Sequence, residues 1–302
     1  MRVALAPENI CIYRNELLPD TMQFFHDIDQ YHRDYQAIIV DFAKCKSISA
    51  AAAVITFAKI TRCQLTADHI GQALGHQGIK INLPEDKKAK NLFRQTGFYD
   101  AIKPGGINKL DRLWKDIHNP FKTSNSTEND ISDLLKHLKN RLGKIPEKLM
   151  SALSEGYLNI DHHAYHQNVI NDLQGRWWQY TSSVKIDGTF SVVLYDMGVG
   201  IPFSIRPKYI AQGHRYGHMD NVVIEYAMVR GHTRYDINQG RGNGFSNIKK
   251  PMDINQEAKY LLVASGKGAV KYKSQEIVSS ELVTDYGYGG TLIEWCFDGE
   301  LK

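Results

Sequence analysis

The strongest constraint on the fold is a carboxylate standing where an apolar strand has to end. Ser191-Val192-Val193-Leu194-Tyr195 suits a buried strand, and Asp196-Met197-Gly198-Val199-Gly200 follows at once, with Ile201-Pro202 next. A strand-end carboxylate followed by two glycines suits an acceptor facing a flat ligand that the backbone must approach closely. Glycine lacks the Cβ that would obstruct that approach and accepts positive φ. Asp-x-Gly is also a common turn, so the stretch needs support from elsewhere in the chain before it carries a function.

A length of 302 residues allows about two domains at ~100–200 residues each. With 42% hydrophobic and 23% charged residues the composition is that of packed globular domains. The net charge of +4 comes without a Lys/Arg block, which argues against nucleic acid as the partner; Asp86-Lys87-Lys88-Ala89-Lys90 reads as a solvated helix start. Cys11, Cys45, Cys63 and Cys296 show no C-x-x-C spacing, which argues against zinc and a disulfide framework and for a reducing, cytoplasmic compartment. Neither a signal peptide nor a membrane span is indicated, since the N-terminus has no apolar core behind a basic start and no run approaches ~18 apolar residues.

Residues 1 to about 105 alternate strand and helix patterns. Ala37–Phe42 is a buried-strand run, Ile48–Ile60 is Ala-rich with helical spacing, and Ile79–Leu83 is a short strand. Lys87–Gln95 reads as a helix closed by Thr96-Gly97. This is a small α/β domain. The polar, turn-rich stretch His118–Asp130 is expected to be a linker or exposed loop. Ile131, Leu134, Leu135, Leu138 and Leu142 then mark one helix face that Gly143 stops, and Pro146 is placed in the first turn of a second helix. Strands are expected around Trp177–Val184 and Thr189–Tyr195, joined by an Asp187-Gly188 hairpin turn. Tyr260–Ala264 and Thr291–Trp295 give two more. The second half reads as α+β, with helices on one face of a mostly antiparallel sheet, and Trp177-Trp178 as strand core.

On the second helix Glu155, Asn159 and His163 fall at i, i+4 and i+8 and share a face. The Asn159 amide is a hard neutral ligand suited to Mg²⁺ shared with phosphates, and Glu155 is suited to accept a proton from an attacking hydroxyl or water. A plain solvated helix face has the same pattern. Downstream, Gly240-Arg241-Gly242-Asn243-Gly244 leads into a helix, an arrangement that points backbone N–H groups at phosphates; a flexible glycine loop is the simpler alternative. Arg230 and Arg234 precede this motif and Arg241 lies inside it; pairing with surface acids is the simpler role for such arginines, and Arg241 is the best placed to neutralise a γ-phosphate. His162, His163 and His166 invite a metal, although neighbouring histidines more simply satisfy local hydrogen bonds.

Taken in order, Glu155…Asn159, Asp196-x-Gly198-x-Gly200, Gly240-x-Gly242-x-Gly244 and Gly290-Thr291 resemble the GHKL superfamily of Bergerat-fold ATPases, over residues 145–302. The resemblance implies that ATP and Mg²⁺ are bound, with Asn159 on the metal and Asp196 accepting from the adenine amino group. Gly198 and Gly200 would shape the adenine pocket, Gly240, Gly242 and Gly244 would cradle phosphates, Thr291 would support the base, and Phe203–Gln239 would form a lid. The Glu155, Asn159 and His163 spacing is similar to the anti-sigma-factor serine kinases, in which the glutamate is the base. Gly156 and Ile160 replace alanine-like residues there, and Phe245 replaces leucine. Residues 1–108 resemble a STAS domain, with 109–144 as linker and connecting helix. Ala50 stands where that family carries its phosphorylated serine, with Ser47 and Ser49 nearby; this speaks against phosphorylation in cis and leaves binding of a protein partner, or packing, as the unit's role. The expected activity is that of a serine/threonine protein kinase or slow ATPase; the alternative is a nucleotide-gated interaction switch with little turnover. A histidine kinase would need a two-helix segment with a phospho-accepting histidine ahead of residue 145; the helix containing His137 is the only candidate and is short, which speaks against that class, and association with a second copy is left open.

Overall fold

The computed structural model describes residues 2–33, 37–70, 78–126, 131–165, 170–182, 188–229, 244–283 and 285–298, without the side chains of Ile70, Ile131 and His163. The protein is a mixed α/β chain that divides into two compact units. Met1–Ser124 with Asn168–Gln174 and Trp178–Tyr180 forms the first, and Asn125–Gln167, Gly175–Trp177 and Thr181–Lys302 the second.

In the first unit a parallel sheet is built from β1 (Arg2–Leu5), β3 (Ile38–Asp41) and β5 (Ile79–Asn82), in the order β1-β3-β5. The two-residue strands β2 (Asn9–Ile10) and β4 (Ser47–Ile48) pair separately. Between the strands run α1 (Leu18–Arg33), α2 (Ala50–Ile70), α3 (Lys87–Gln95), α4 (Phe98–Ile102) and α5 (Gly106–Lys115), followed by β6 (Phe121–Ser124). The α3 helix is set by local chemistry: the Asp86 side chain accepts from Ala89 N at 2.8 Å, and Thr96-Gly97 ends it with Gly97 at φ 72°. The Ala-rich helix begins two residues later than its sequence suggests, because Ser47-Ile48 pairs with β2, and it runs ten residues further, since nothing in Thr61–Ile70 breaks it.

His118–Asp130 does not behave as an exposed linker over its described part. Phe121, Lys122 and Thr123 are buried strand residues. The Phe121 ring packs against Phe57, Phe98 and Tyr180, at 5.8, 5.8 and 4.9 Å. The buried Lys122 ammonium donates to Leu113, Trp114 and Asp116 carbonyls at 2.9, 2.9 and 2.5 Å, so it satisfies acceptors that the end of α5 leaves without helical partners. Residues 127–130 lie outside the described residues.

The first unit also holds a compact charge cluster. Asp29 on α1 accepts from Lys59 at 2.6 Å and from Arg62 at 2.5 Å, both on α2, and Lys59 is fully buried. Burial alone would raise the Asp29 carboxyl; the charges of Lys59 and Arg62 outweigh it and hold the group below the ordinary aspartate range.

The second unit starts with α6 (Ile131–Leu142), which buries Leu134 and Leu138 and stops at Gly143, φ 70°. Next come α7 (Leu149–Asn159) and a π-helical turn, Ile160–Ala164. Pro146 lies ahead of α7 rather than in its first turn, because Lys148 at φ 63° breaks the chain direction in between. The strands are β7 (Trp177–Thr181, whose residues are shared between the units), β8 (Thr189–Asp196), β9 (Ala258–Ser265), β10 (Gly268–Lys273), β11 (Glu276–Leu282) and β12 (Thr291–Asp298). Five of them form an antiparallel run β11-β10-β9-β12-β8. The helices are α8 (Ile201–Ala211), α9 (Asp220–Ala227) and α10 (Gly244–Ile254). α7 packs on α10 and α10 on β9, an arrangement fixed in part by Trp295 Nε1 donating to Ile248 O at 2.8 Å. Trp177 and Trp178 are both core residues, and the Trp177 ring lies 4.7 Å from that of Tyr157. Asp187 of the expected hairpin turn lies outside the described residues.

Candidate functional site

The antiparallel register brings three polar residues side by side at one end of the sheet. Asp196 on β8 pairs with Thr291 on β12, and Thr291 pairs with Ser265 on β9. Directly opposed residues of an antiparallel sheet point to the same face, so Asp196, Thr291 and Ser265 form one row. On that face, two residues back along β8, Leu194 meets α7. A Cβ on Gly156 would stand 2.6 Å from Leu194 Cδ2, so the glycine lets the helix lie close to the strand.

Asp196 is only 5% exposed. Its carboxylate accepts from Gly198 N at 2.8 Å and from the Thr291 backbone N–H. Burial pushes the carboxyl up to about 7, although those two N–H groups favour its charged form. The unfolded value is near 3.8, so between about pH 4 and 7 the folded state keeps a proton that the unfolded state has released. Stability from this group is therefore expected to fall as pH rises through that window, by up to roughly 1.4 kcal/mol per pH unit. Urea denaturation at pH 5 and pH 8 should show the decline in the parent and a smaller one in Asp196→Asn. Equal declines in the two proteins would exclude Asp196 as its source.

The loop after Asp196 is held by alternate backbone N–H groups. Met197 N donates to the Tyr165 hydroxyl at 3.1 Å, Val199 N to Ala164 O at 2.7 Å and Ile201 N to Ser265 Oγ at 2.9 Å. Ala164 closes the π turn that continues α7, so the loop is seated on the end of the helix carrying Glu155 and Asn159. The seat leaves no room at Gly198, where a Cβ would lie 2.1 Å from the Ala164 carbonyl oxygen. Gly290, at φ 155°, is equally constrained: a Cβ there would lie 1.9 Å from Asp196 O. A π turn opens the helical hydrogen-bond ladder and recurs at functional sites; here it presents a carbonyl to a neighbouring loop.

Glu155 and Asn159 both face the start of α10. A Cβ on Gly244 would lie 2.9 Å from Glu155 Oε1 and 3.7 Å from Asn159 Nδ2, and Asn247 Nδ2 donates to Glu155 Oε2 at 3.3 Å. The last glycine of the downstream trio therefore meets the helix that carries the candidate base and metal ligand. Gly240, Arg241, Gly242, Asn243, Arg230, Arg234 and His166 lie outside the described residues, as does the His163 side chain. Of the segment expected to form a lid, Phe203–Val229 is described. There α8 and α9 share an apolar cluster of Tyr209, Val223 and Tyr226, and α9 rests on β10 and β11. Asp220, at the start of α9, accepts from Lys267 N at 2.7 Å and pairs with Arg206 of α8.

Among the described residues no group of three or more His, Cys, Asp and Glu is gathered as a metal cluster, and no helix is long and apolar enough to cross a membrane. All four cysteines are free. Magnesium bound with nucleotide phosphates needs few protein ligands, since it keeps waters and phosphate oxygens; an amide oxygen from Asn159 beside the Glu155 carboxylate suits it in kind. Sequence reasoning missed Ser265 and Tyr165. Ser265 does end an apolar run, Leu261–Ala264, much as Asp196 ends Val192–Tyr195, and that parallel was the available signal. A scan against models of known protein families matches nothing in this chain, and a search of curated proteins gives no match either.

Proposed function

We propose that this chain binds ATP with Mg²⁺ through a GHKL-type site in residues 145–302 and acts as a serine/threonine protein kinase or slow ATPase in a regulatory pathway of the cytoplasm. What supports the reading is one juxtaposition. The buried Asp196 and its neighbour Thr291 anchor a loop that is hydrogen-bonded to the end of the helix bearing Glu155 and Asn159, while the same helix meets Gly244. On this reading, residues distant in sequence would supply what an adenine nucleotide needs: an acceptor for the base, a ligand for the metal, and a glycine-led helix start for phosphates.

Asn159 would hold the magnesium ion, which supplies charge neutralisation on the phosphates. Asp196 would accept from the base, and its loop, held by Tyr165, Ala164 and Ser265, would fix the base plane. Glu155 would take the proton of the attacking hydroxyl or water. The first unit, STAS-like in its alternation of β1, β3 and β5 with helices, would carry the protein partner.

The test is titration calorimetry with ATP and ADP, with and without Mg²⁺, on the parent and on Asn159→Ala. The parent should bind both nucleotides, and the substitution should weaken the magnesium complex of ATP by about tenfold or more while changing metal-free ADP little. Absence of heat with either nucleotide at millimolar concentration would remove the reading.

A further inference from the structure

The hydrogen-bond directions around Ser265 determine what the row of Asp196, Thr291 and Ser265 can offer a ligand. A hydroxyl has one proton to donate and two lone pairs to accept with. Ser265 Oγ lies 2.9 Å from the Gly290 carbonyl oxygen, which can only accept, so the Ser265 proton is committed there. It accepts from Ile201 N at 2.9 Å, and Thr291 Oγ1 lies 3.2 Å away. With its proton directed at Gly290, Ser265 can only accept from Thr291, and the Thr291 proton points back into the sheet. Ser265 is fully buried, so water does not relieve the arrangement. What Thr291 turns outward is lone pairs. Beside it, Asp196 in its ionised form also only accepts, and both of its named donors are backbone N–H groups.

We infer that Ser265 is a specificity-determining residue: by fixing the direction of the Thr291 hydroxyl it makes this edge of the site acceptor-only, selecting a heterocycle that presents an exocyclic amino group and rejecting one that presents a carbonyl oxygen. The inference rests on the nucleotide reading above, in which Asp196 accepts from the base amino group, and goes beyond it in naming the residue, itself out of ligand reach, that sets the direction of the Thr291 hydroxyl. A 6-oxo group placed here would bring its oxygen against the carboxylate and against lone pairs that cannot reverse. A site whose polar groups are left unpaired discriminates strongly, whereas removing one constraint on a rotatable hydroxyl relaxes it. Ser265 also ties Gly200-Ile201 to Gly290-Thr291, so a purely structural role would be felt equally by any base.

The experiment is calorimetric affinity for ATP and for inosine triphosphate, which differs at the 6-position by oxygen in place of the amino group. It is run at pH 8, where Asp196 is charged, on the parent and on Ser265→Ala. The parent should prefer ATP by about a hundredfold or more. Ser265→Ala should cut that ratio by about tenfold, because the freed Thr291 hydroxyl can rotate and donate to the oxo group. If the two affinities fall together and the ratio stands, Ser265 is a scaffold residue only and the inference is overturned. A parent that binds both nucleotides equally overturns it while leaving the nucleotide reading intact; a parent that binds neither removes both. Should Ser265→Ala fail to fold, Thr291→Val decides: with Asp196 still in place it should reduce the preference for the amino base by about tenfold and Thr291→Ser should keep it, and an unchanged ratio in Thr291→Val counts against the inference.

Discussion

Glu155→Ala is expected to bind ATP within a few-fold of the parent and to lower ADP release, or phosphoryl transfer, by about 10²–10⁴-fold, the usual contribution of a general base. The expectation comes from where the carboxylate lies. It precedes Asn159 by one helical turn, sits beside Gly244, and receives a 3.3 Å hydrogen bond from Asn247 that orients it without a countercharge. On the nucleotide reading, removing it would delete a proton acceptor next to the phosphates while leaving Asp196 and Thr291, which would face the base, as they are. Single-turnover ADP formation alongside calorimetry separates the two effects. Equal rates in the two proteins would take Glu155 out of the mechanism. A parent that binds ATP tightly yet yields no product over hours would favour a nucleotide-gated switch.

The second large effect concerns stability in the other unit. Asp29→Ala should destabilise the protein by about 3–5 kcal/mol, the cost of leaving buried charge without its partner. Lys59 has no exposed surface, and its ammonium is neutralised by Asp29 at 2.6 Å, with Arg62 sharing the same carboxylate. Without Asp29 two cations would face each other in a buried setting. Arg62 is partly exposed and can turn toward water, whereas Lys59 would have to lose its proton or unfold its surroundings. The double variant Asp29→Ala/Lys59→Met should recover most of the loss, because it removes the stranded charge together with its partner. Urea denaturation of both variants gives the comparison, and a double variant no more stable than the single one would mean that packing, not charge, was lost.

How much of this could be read in the sequence depended on how local each cause was. Lys87–Gln95 was legible because the Asp86 cap and the Thr96-Gly97 stop act within the helix itself. Phe121–Ser124 was not, since its polar residues are buried by distant partners: Lys122 is held by the end of α5 and Phe121 by rings from three other segments. The β10–β11 hairpin was hidden by its turn, where Ser274 and Gln275 adopt left-handed backbone at φ 48° and 72° in place of the usual Gly or Asn. In the candidate site, Asp196 and Thr291 announced themselves through neighbouring glycines. Ser265 did not, because its partners Ile201 and Gly290 lie 64 and 25 residues away and meet it only through strand register. Asp196 and Thr291 were thus written as motifs, and the bonds that support them were written as topology.

The π turn at Ile160–Ala164 has a bearing on how this region can vary over evolutionary time. Its carbonyl at Ala164 reaches Val199 because the helix carries a widened turn, and the next residue, Tyr165, reaches Met197 from the same vantage. Deleting a single residue there would tighten the coil back to ordinary α geometry and swing both anchors about a quarter-turn around the axis, off their targets. Side chains in this stretch can be exchanged, but the residue count cannot, so descendants of this chain should accept substitutions between Asn159 and Tyr165 far more readily than insertions or deletions.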